Sequence, residues 1–396
     1  MRRLVSLFLC FCFFLCGCTG YNIKEVQYNK NANYASTGVW LSFSEINGLL
    51  NGKENFHEKI DEVIKNCVSL KIENVYIHVR SYCDSLFKSE YFPIIDEVKE
   101  YEFDVFEYML NEFHDAGIKV HAWINPYRVL TSSADINALS QKSPAYVWLN
   151  DETKENDINV CFYKGIYLNP AEAQVRALVI NGIREIIEKY NVDGIHFDDY
   201  FYPTTDEEFD KDSYMKYLSN TENPLSLENW RRFNVNALIS GCYTAIKYLN
   251  KDIVFSVSPA ASIENNYNNL YADVKHWVKE GYIDSIIPQL YFGFNYPQKE
   301  FRFENLLKTW CDIASLNRNV ELIIGLGSYK IGTELVPDYE EWQNSNDIIA
   351  RQAKICYEDA TVKGFVFFSY NSLFSQENFN TAQRENYKNT FKNLEE

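Results

Sequence analysis

Apolar runs of strand length alternate with longer amphipathic stretches along most of this chain, and the alternation occurs eight times. The runs predict strands at residues 38–43, 74–80, 119–125, 193–198, 253–258, 285–291, 321–327 and 364–370. Between them the apolar positions recur at helical spacing, which predicts helices at 56–70, 104–116, 171–190, 227–249, 271–280, 303–316 and 347–358. Strands that alternate with helices lie parallel, and eight such units close on themselves, so the fold class expected is α/β, a single (β/α)8 TIM barrel. Connection lengths agree. Helix-to-strand links are short (71–73, 117–118, 191–192, 250–252), whereas strand-to-helix links at 126–170, 201–226 and 328–346 are long. Only one face is elaborated, and in such barrels the face at the C-terminal ends of the strands carries the site.

Strand parity says what lines that mouth, because successive side chains point to opposite faces. In the fourth strand Ile195 and Phe197 meet the helices, leaving His196, Asp198 and Tyr200 to point inward. By the same rule Tyr76, His78 and Arg80 face in from the second strand, and His121, Trp123 and Asn125 from the third. Ser256 and Ser258 do so from the fifth, and Gln289 and Tyr291 from the sixth. A purely structural barrel core is filled by branched apolar residues, so this convergence of polar groups marks a pocket.

The N-terminus reads differently. Arg2 and Arg3 precede an apolar run, Leu4 to Cys16, that is too short to span a bilayer of roughly 30 Å and has the layout of a secretory signal. It ends in Leu15-Cys16-Gly17-Cys18, which resembles the lipobox of bacterial lipoproteins. The expected organisation is a signal peptide over 1–17, a lipidated Cys18 with a polar tether to residue 36, one catalytic domain over 37–374 and a polar C-terminal tail over 375–396. An exported, membrane-anchored lipoprotein facing the extracytoplasmic side follows from it. The net charge of −17 and the lack of any Lys/Arg block exclude nucleic acid as the main partner. Cys67, Cys83, Cys161, Cys242, Cys311 and Cys356 lack metal-ligand spacing and read as buried free thiols, with disulfides the alternative in an exported chain.

The densest chemical signal runs from Asp193 to Pro203, Asp-Gly-Ile-His-Phe-Asp-Asp-Tyr-Phe-Tyr-Pro. Two adjacent carboxyls at the top of a barrel strand repel one another unless solvated, paired or partly protonated, which is how a site acquires an acid and a base at neutral pH. Glycosidases need that combination: one carboxylate at the anomeric centre and one carboxylic acid for the leaving oxygen. Asp198 is assigned the first role and Asp199 the second. No GxSxG elbow, phosphate-binding loop or HExxH pair competes.

These residues carry a resemblance. Val79-Arg80 with Asp84 and Ser89, His121 to Arg128, Leu168-Asn169-Pro170 with Val175-Arg176, Asp193 to Pro203, Pro288 to Tyr291 and Phe367 to Leu373 occur in the order of the glycosyl hydrolase-like 10 family of bacterial lipoproteins. One departure is Ser81-Tyr82-Cys83, where that family's pattern has a Pro/Gly-containing turn. The resemblance implies a barrel hydrolase acting on glycans outside the cytoplasm, with peptidoglycan strands as substrate. The fourth strand is also similar to the Asp-Gly-x-Asp-x-Asp-x-Glu strand of family 18 chitinases. There His196 replaces the second Asp and Tyr200 the catalytic Glu, so a proton donor must come from Asp199, or from Asp84, Glu264 or Glu334.

The substrate-binding set expected is Arg80, Asp84, His121, Trp123, Asn125, Arg128, His196, Tyr200, Gln289 and Tyr291, with Tyr202 a further stacking face. Arg80 and Arg128 are offered to a lactyl carboxylate, and Arg176 is expected to pair with a carboxylate below the site. The inward histidines His78, His121 and His196 read as a hydrogen-bonded layer; no metal or other cofactor is expected. Two rival readings stand beside the hydrolase, a carbohydrate-binding lipoprotein without catalysis and a hydrolase of another polysaccharide such as an α-glucan. Stereochemistry, linkage and oligomeric state stay open.

Overall fold

The computed structural model describes residues 36–395. The predicted leader, Cys18 and the tether up to residue 35 lie outside the described residues. The chain enters at β1 (Ser36–Leu41), followed by β2 (Asn74–Arg80), β3 (Lys119–Ile124), β4 (Arg128–Leu130), β5 (Val160–Phe162), β6 (Ile166–Leu168), β7 (Gly194–Phe197), β8 (Val254–Val257), β9 (Ser285–Ile286), β10 (Glu321–Leu326) and β11 (Val362–Phe367). Eight of these close a parallel barrel in the order β1-β2-β3-β7-β8-β9-β10-β11, shut by the pairing of β1 with β11. The remaining three form a small antiparallel sheet, β4-β6-β5, inside the long connection after β3. This is the (β/α)8 architecture the alternation predicts.

Helices Phe56–Ser69, Val105–Asp115, Ala173–Lys189, Leu227–Leu249, Val274–Glu280, Phe303–Ala314 and Ile348–Glu358 follow successive strands and cover the barrel. Their starts have local causes. The Asp104 carboxylate accepts from the free N–H groups of Phe106 and Glu107 at 3.0 and 3.1 Å, and Ser226 caps the 23-residue helix Leu227–Leu249. The predicted sixth strand is shorter than expected, since Pro288 has no N–H to give. Pairing resumes beyond it as single bridges from Gln289 to Ala260 and Gly325.

The segment read as a polar tail is the eighth barrel helix, Asn378–Glu395. It lies on helix Ile348–Glu358 and buries Gln383, Arg384 and Tyr387. Gln383 donates to Ser345 O and accepts from Ile349 N, while Arg384 donates to the carbonyls of Leu373 and Ser375. With Tyr387 and Phe391 packed on Phe365, these hydrogen bonds stand in for the continuous apolar stripe by which helices are recognised in a sequence.

Side chains sort by parity into two cores. Val75, Ile77, Val120, Ala122, Ile195, Phe197, Phe255 and Val257 join the large layer between sheet and helices. Trp40, Tyr76, Trp123, Ile287, Ile323 and Val366 fill the barrel itself, with Tyr291 and Phe368 against them. That inner core is largely aromatic, and the site stands on it. All six cysteines among the described residues are free thiols, five of them buried.

Candidate active site

The site is built up from the barrel floor. Tyr76 and His121 stack at 4.5 Å in the lower layer, where His121 Nε2 meets Asn74 Oδ1 at 3.1 Å and its ring lies against Gly194. A Cβ on Gly194 would stand 2.1 Å from His121 Nδ1, so glycine is what admits the ring there. Above them Trp40 Nε1 donates to His196 Nε2 at 3.0 Å, and His196 Nδ1 meets Ser256 Oγ at 2.8 Å. Since Nε2 accepts, Nδ1 carries the proton and His196 is a neutral imidazole with both nitrogens occupied. Burial drives both rings toward the neutral form, His121 to about 4 and His196 well below the ordinary histidine value.

Over this floor opens a cavity of about 300 Å³ at the C-terminal ends of the strands. Asp198 and Asp199 lie in its wall, at the point where β7 stops pairing. Asp198 is 3 % exposed and receives three donors. Trp123 Nε1 and Asn125 Nδ2 reach its Oδ2 at 3.0 and 3.3 Å, and the Tyr200 N–H reaches Oδ1 at 3.3 Å. Asp199 is half-buried, with the Gln289 side chain beside it as donor. Burial first, then repulsion from Asp199, pushes the Asp198 carboxyl up to about 7 against the pull of Arg128. Burial raises Asp199 too, opposed by Gln289. Two adjacent carboxyls that both resist ionisation retain a proton between them close to neutral pH.

The rest of the wall is aromatic and polar. Trp123 stacks face to face on His78 at 3.9 Å and 4°. The Arg128 guanidinium covers the Tyr200 ring with its carbon 3.1 Å from the centroid, leaving this cation beside both carboxyls. Tyr291 stacks on Phe368 at 5.6 Å and meets Trp40 and Tyr329 edge-on. Sugar sites combine aromatic faces with a few directed polar groups in this way. Glu45 braces the rim by accepting from Ser42 N and Asn371 N at 2.7 and 2.6 Å, which ties the end of β1 to the end of β11.

Of the expected residues, Trp123, Arg128, His196, Asp198, Asp199, Tyr200, Gln289 and Tyr291 line the cavity. Asn125 stands behind it and acts through Asp198. Others are elsewhere. Arg80 points outward, because a register shift after His78 sets it opposite Ile124, a helix-facing position. Its guanidinium lies buried under the Phe92 ring at 4.2 Å, in space that Gly182 leaves free. His121 faces inward as expected but one layer too low, since parity gives the face of a residue and not its depth. Tyr202 is buried against Phe209 and Tyr271, the chain having turned after β7. Arg176 binds the Ala171 carbonyl and Asn234 Oδ1, not a carboxylate. Asp193 accepts from His114 and Val120 N at the far end of the strand.

Asp84 lines a neighbouring chamber, while Glu264 and Glu334 line neither, so of these carboxyls Asp199 alone shares the cavity with Asp198. Trp40, Ser42, Phe43, Tyr329 and Phe368 are cavity residues that the sequence reading did not assign. Parity applied to the first strand places Trp40 and Ser42 inward, whereas the others stand past the ends of strands where alternation stops. Because His121 and His196 are held by Asn74, Trp40 and Ser256, the three inward histidines do not converge on one point. Among the described residues no group of three His, Cys, Asp or Glu side chains could hold a metal ion.

The model of the glycosyl hydrolase-like 10 family matches residues 36–344. Glycosyl hydrolase YngK of Bacillus subtilis (strain 168) is 29% identical over 344 residues, which are 81% of this chain and 64% of that protein. Glycosyl hydrolase DigH of Escherichia coli (strain K12) is 28% identical over 334 residues, 77% of this chain and 73% of that protein. This chain therefore spans somewhat under two thirds of the length of the Bacillus relative. Among solved structures, the PgaB (BpsB) glycoside hydrolase domain from Bordetella bronchiseptica superposes with a TM-score of 0.59 at 12% identity, over 89% of this chain and 98% of that one. An α-L-fucosidase isoenzyme 2 from Paenibacillus thiaminolyticus gives 0.52 at 12% identity, over 84% and 46%. At such identities the two structures speak for the barrel alone.

Proposed function

The chain belongs to the glycosyl hydrolase-like 10 family, and from that premise we propose that it is an exported, lipid-anchored glycoside hydrolase that cuts peptidoglycan strands. The observation that carries this reading is the pair Asp198 and Asp199, raised together in an aromatic cleft that Arg128 also lines. Asp199 reaches the cleft and donates its proton to the glycosidic oxygen as the bond to the anomeric carbon breaks. Asp198, fixed by Trp123, Asn125 and Tyr200, keeps its charge toward the anomeric centre. There it orients the substrate's acetamido group, whose oxygen bonds to the anomeric carbon as the leaving sugar departs. Water then opens that ring with Asp199, now a carboxylate, as the base.

Arg128 supports the choice of glycan. With Arg80 turned away, it is the one arginine among the described residues that lines the cavity, and it suits the lactyl carboxylate of a muramic residue. That carboxylate is free only where no stem peptide is attached, so strands stripped of their peptides are the expected substrate. A panel of glycans read by mass spectrometry tests this. Release of short fragments from stripped peptidoglycan strands, with little action on starch or cellulose oligomers, is the expected result. Preference for the neutral hexose polymers contradicts it.

Rate should follow the ionisation of Asp198. It must be a carboxylate to face the anomeric centre and is raised to about 7, so kcat/KM is expected to rise as pH rises through about 7. A profile flat from pH 5 to pH 8 removes that role from Asp198. Location rests on the Cys18 reading. Cys18→Ser should leave the protein unprocessed or release it from the membrane fraction, and normal processing with unchanged membrane retention contradicts lipidation there.

A further inference from the structure

The cleft does not end at the acid pair. A second chamber of about 190 Å³ adjoins the first and shares Phe43 and His78 with it. Tyr82, Asp84 and Glu97 complete its polar wall. A third hollow shares Tyr82, Asp84 and Glu97 in turn, so the opening continues as a groove away from Asp198. His78 is the partition. It is 5 % exposed, and neither of its ring nitrogens has a hydrogen-bond partner in the protein. The ring lies flat on Trp123, whose indole N–H is fixed by Asp198. Burial and the nearby Arg128 hold it neutral, with one donor and one acceptor nitrogen.

A buried imidazole with both nitrogens unpaired costs free energy, and a ligand group that bonds even one of them recovers part of that cost. A sugar offers donors and acceptors for this in its hydroxyls and its acetamido group. Phe43 and Tyr82, edge to face at 6.0 Å, supply an aromatic wall. The two carboxyl groups of Asp84 and Glu97 can accept from hydroxyls, and among the described residues no Lys or Arg lines this chamber. A sugar that itself carries a carboxylate is repelled here, while Arg128 in the first chamber attracts it.

We propose that the second chamber is a separate sugar subsite that takes a carboxylate-free hexosamine next to the cleaved unit, gripped by His78 and Asp84. The inference rests on the glycan reading of the cleft and adds to it that the protein engages a strand over at least two units of opposite charge character. Calorimetric binding to the full chain carrying Asp198→Asn, which leaves the ligand uncut, tests it. The probes are N-acetylglucosamine oligomers of one to four units and oligogalacturonates of equal length. Affinity should climb by about tenfold or more between the short and long amino-sugar oligomers, with the uronates binding far more weakly. His78→Phe keeps the stack on Trp123 but removes the nitrogens, and Asp84→Ala changes a loop residue. Each should erase most of that length dependence. Affinity that does not grow with length, growth unchanged in both variants, or uronates binding equally well overturns the subsite. Binding with the expected length dependence but no cleavage by the unsubstituted protein would instead sink the hydrolase reading and leave the subsite standing.

Discussion

Asp198→Asn is expected to lower turnover on glycan strands by at least ~10²-fold while the barrel stays folded. The substitution keeps the shape of the side chain, and its one oxygen can still accept from Trp123 and Asn125. What it removes is the charge facing the anomeric centre, along with an acceptor for the Tyr200 N–H. Stability should move the other way from activity. In the folded protein the Asp198 carboxyl titrates near 7, against about 4 in an unfolded chain, so the folded state holds a proton that the unfolded state has released. Stability from this group is therefore lost as pH rises from about 4 to 7, and asparagine abolishes the loss. Melting curves at pH 5 and pH 8 should show a smaller difference for the variant, with its midpoint at pH 8 no lower than that of the parent by more than about 3 °C. Full activity in Asp198→Asn removes it from the reaction.

Asp199→Asn should cost as much on natural strands but for another reason, and leaving-group chemistry separates the two. A general acid matters in proportion to how poor the leaving group is. An aryl glycoside that departs as a stable phenolate needs no proton. For Asp199→Asn the loss should shrink from at least ~10²-fold on strands to about tenfold or less on a dinitrophenyl glycoside. For Asp198→Asn it should persist on both, because stabilising charge at the anomeric carbon is needed whatever leaves. Equal losses on both substrates for Asp199→Asn would take the acid role from it.

Much of this arrangement was legible in the chain. Apolar periodicity marked eight strands and seven helices, and parity placed Trp123, His196 and Asp198 in the barrel because a paired strand alternates without exception. Where pairing lapses, the rule lapses with it. The shift after His78 turned Arg80 to the helices, and the end of β7 at Phe197 let Tyr202 fold back into the core. His121 shows a second limit, for it is an inward residue too deep to be reached. Phe43, Tyr329 and Phe368 come to the rim from segments beyond the strands, where tertiary packing alone decides the direction of a side chain. The last helix was hidden for a chemical reason: beside Tyr387 and Phe391, its buried face holds Gln383 and Arg384 bound to loop carbonyls instead of a continuous stripe of Leu or Val.

The carboxyl pair at the end of β7 is proposed to perform glycan hydrolysis. New reducing ends released from peptide-free peptidoglycan strands, measured side by side for the unsubstituted protein and for the double variant Asp198→Asn/Asp199→Asn, test it most directly. Steady release by the first is expected and release at the level of a protein-free control by the second, with both proteins giving the same circular-dichroism spectrum. Equal release by the two, or none by either on any glycan offered, would contradict it.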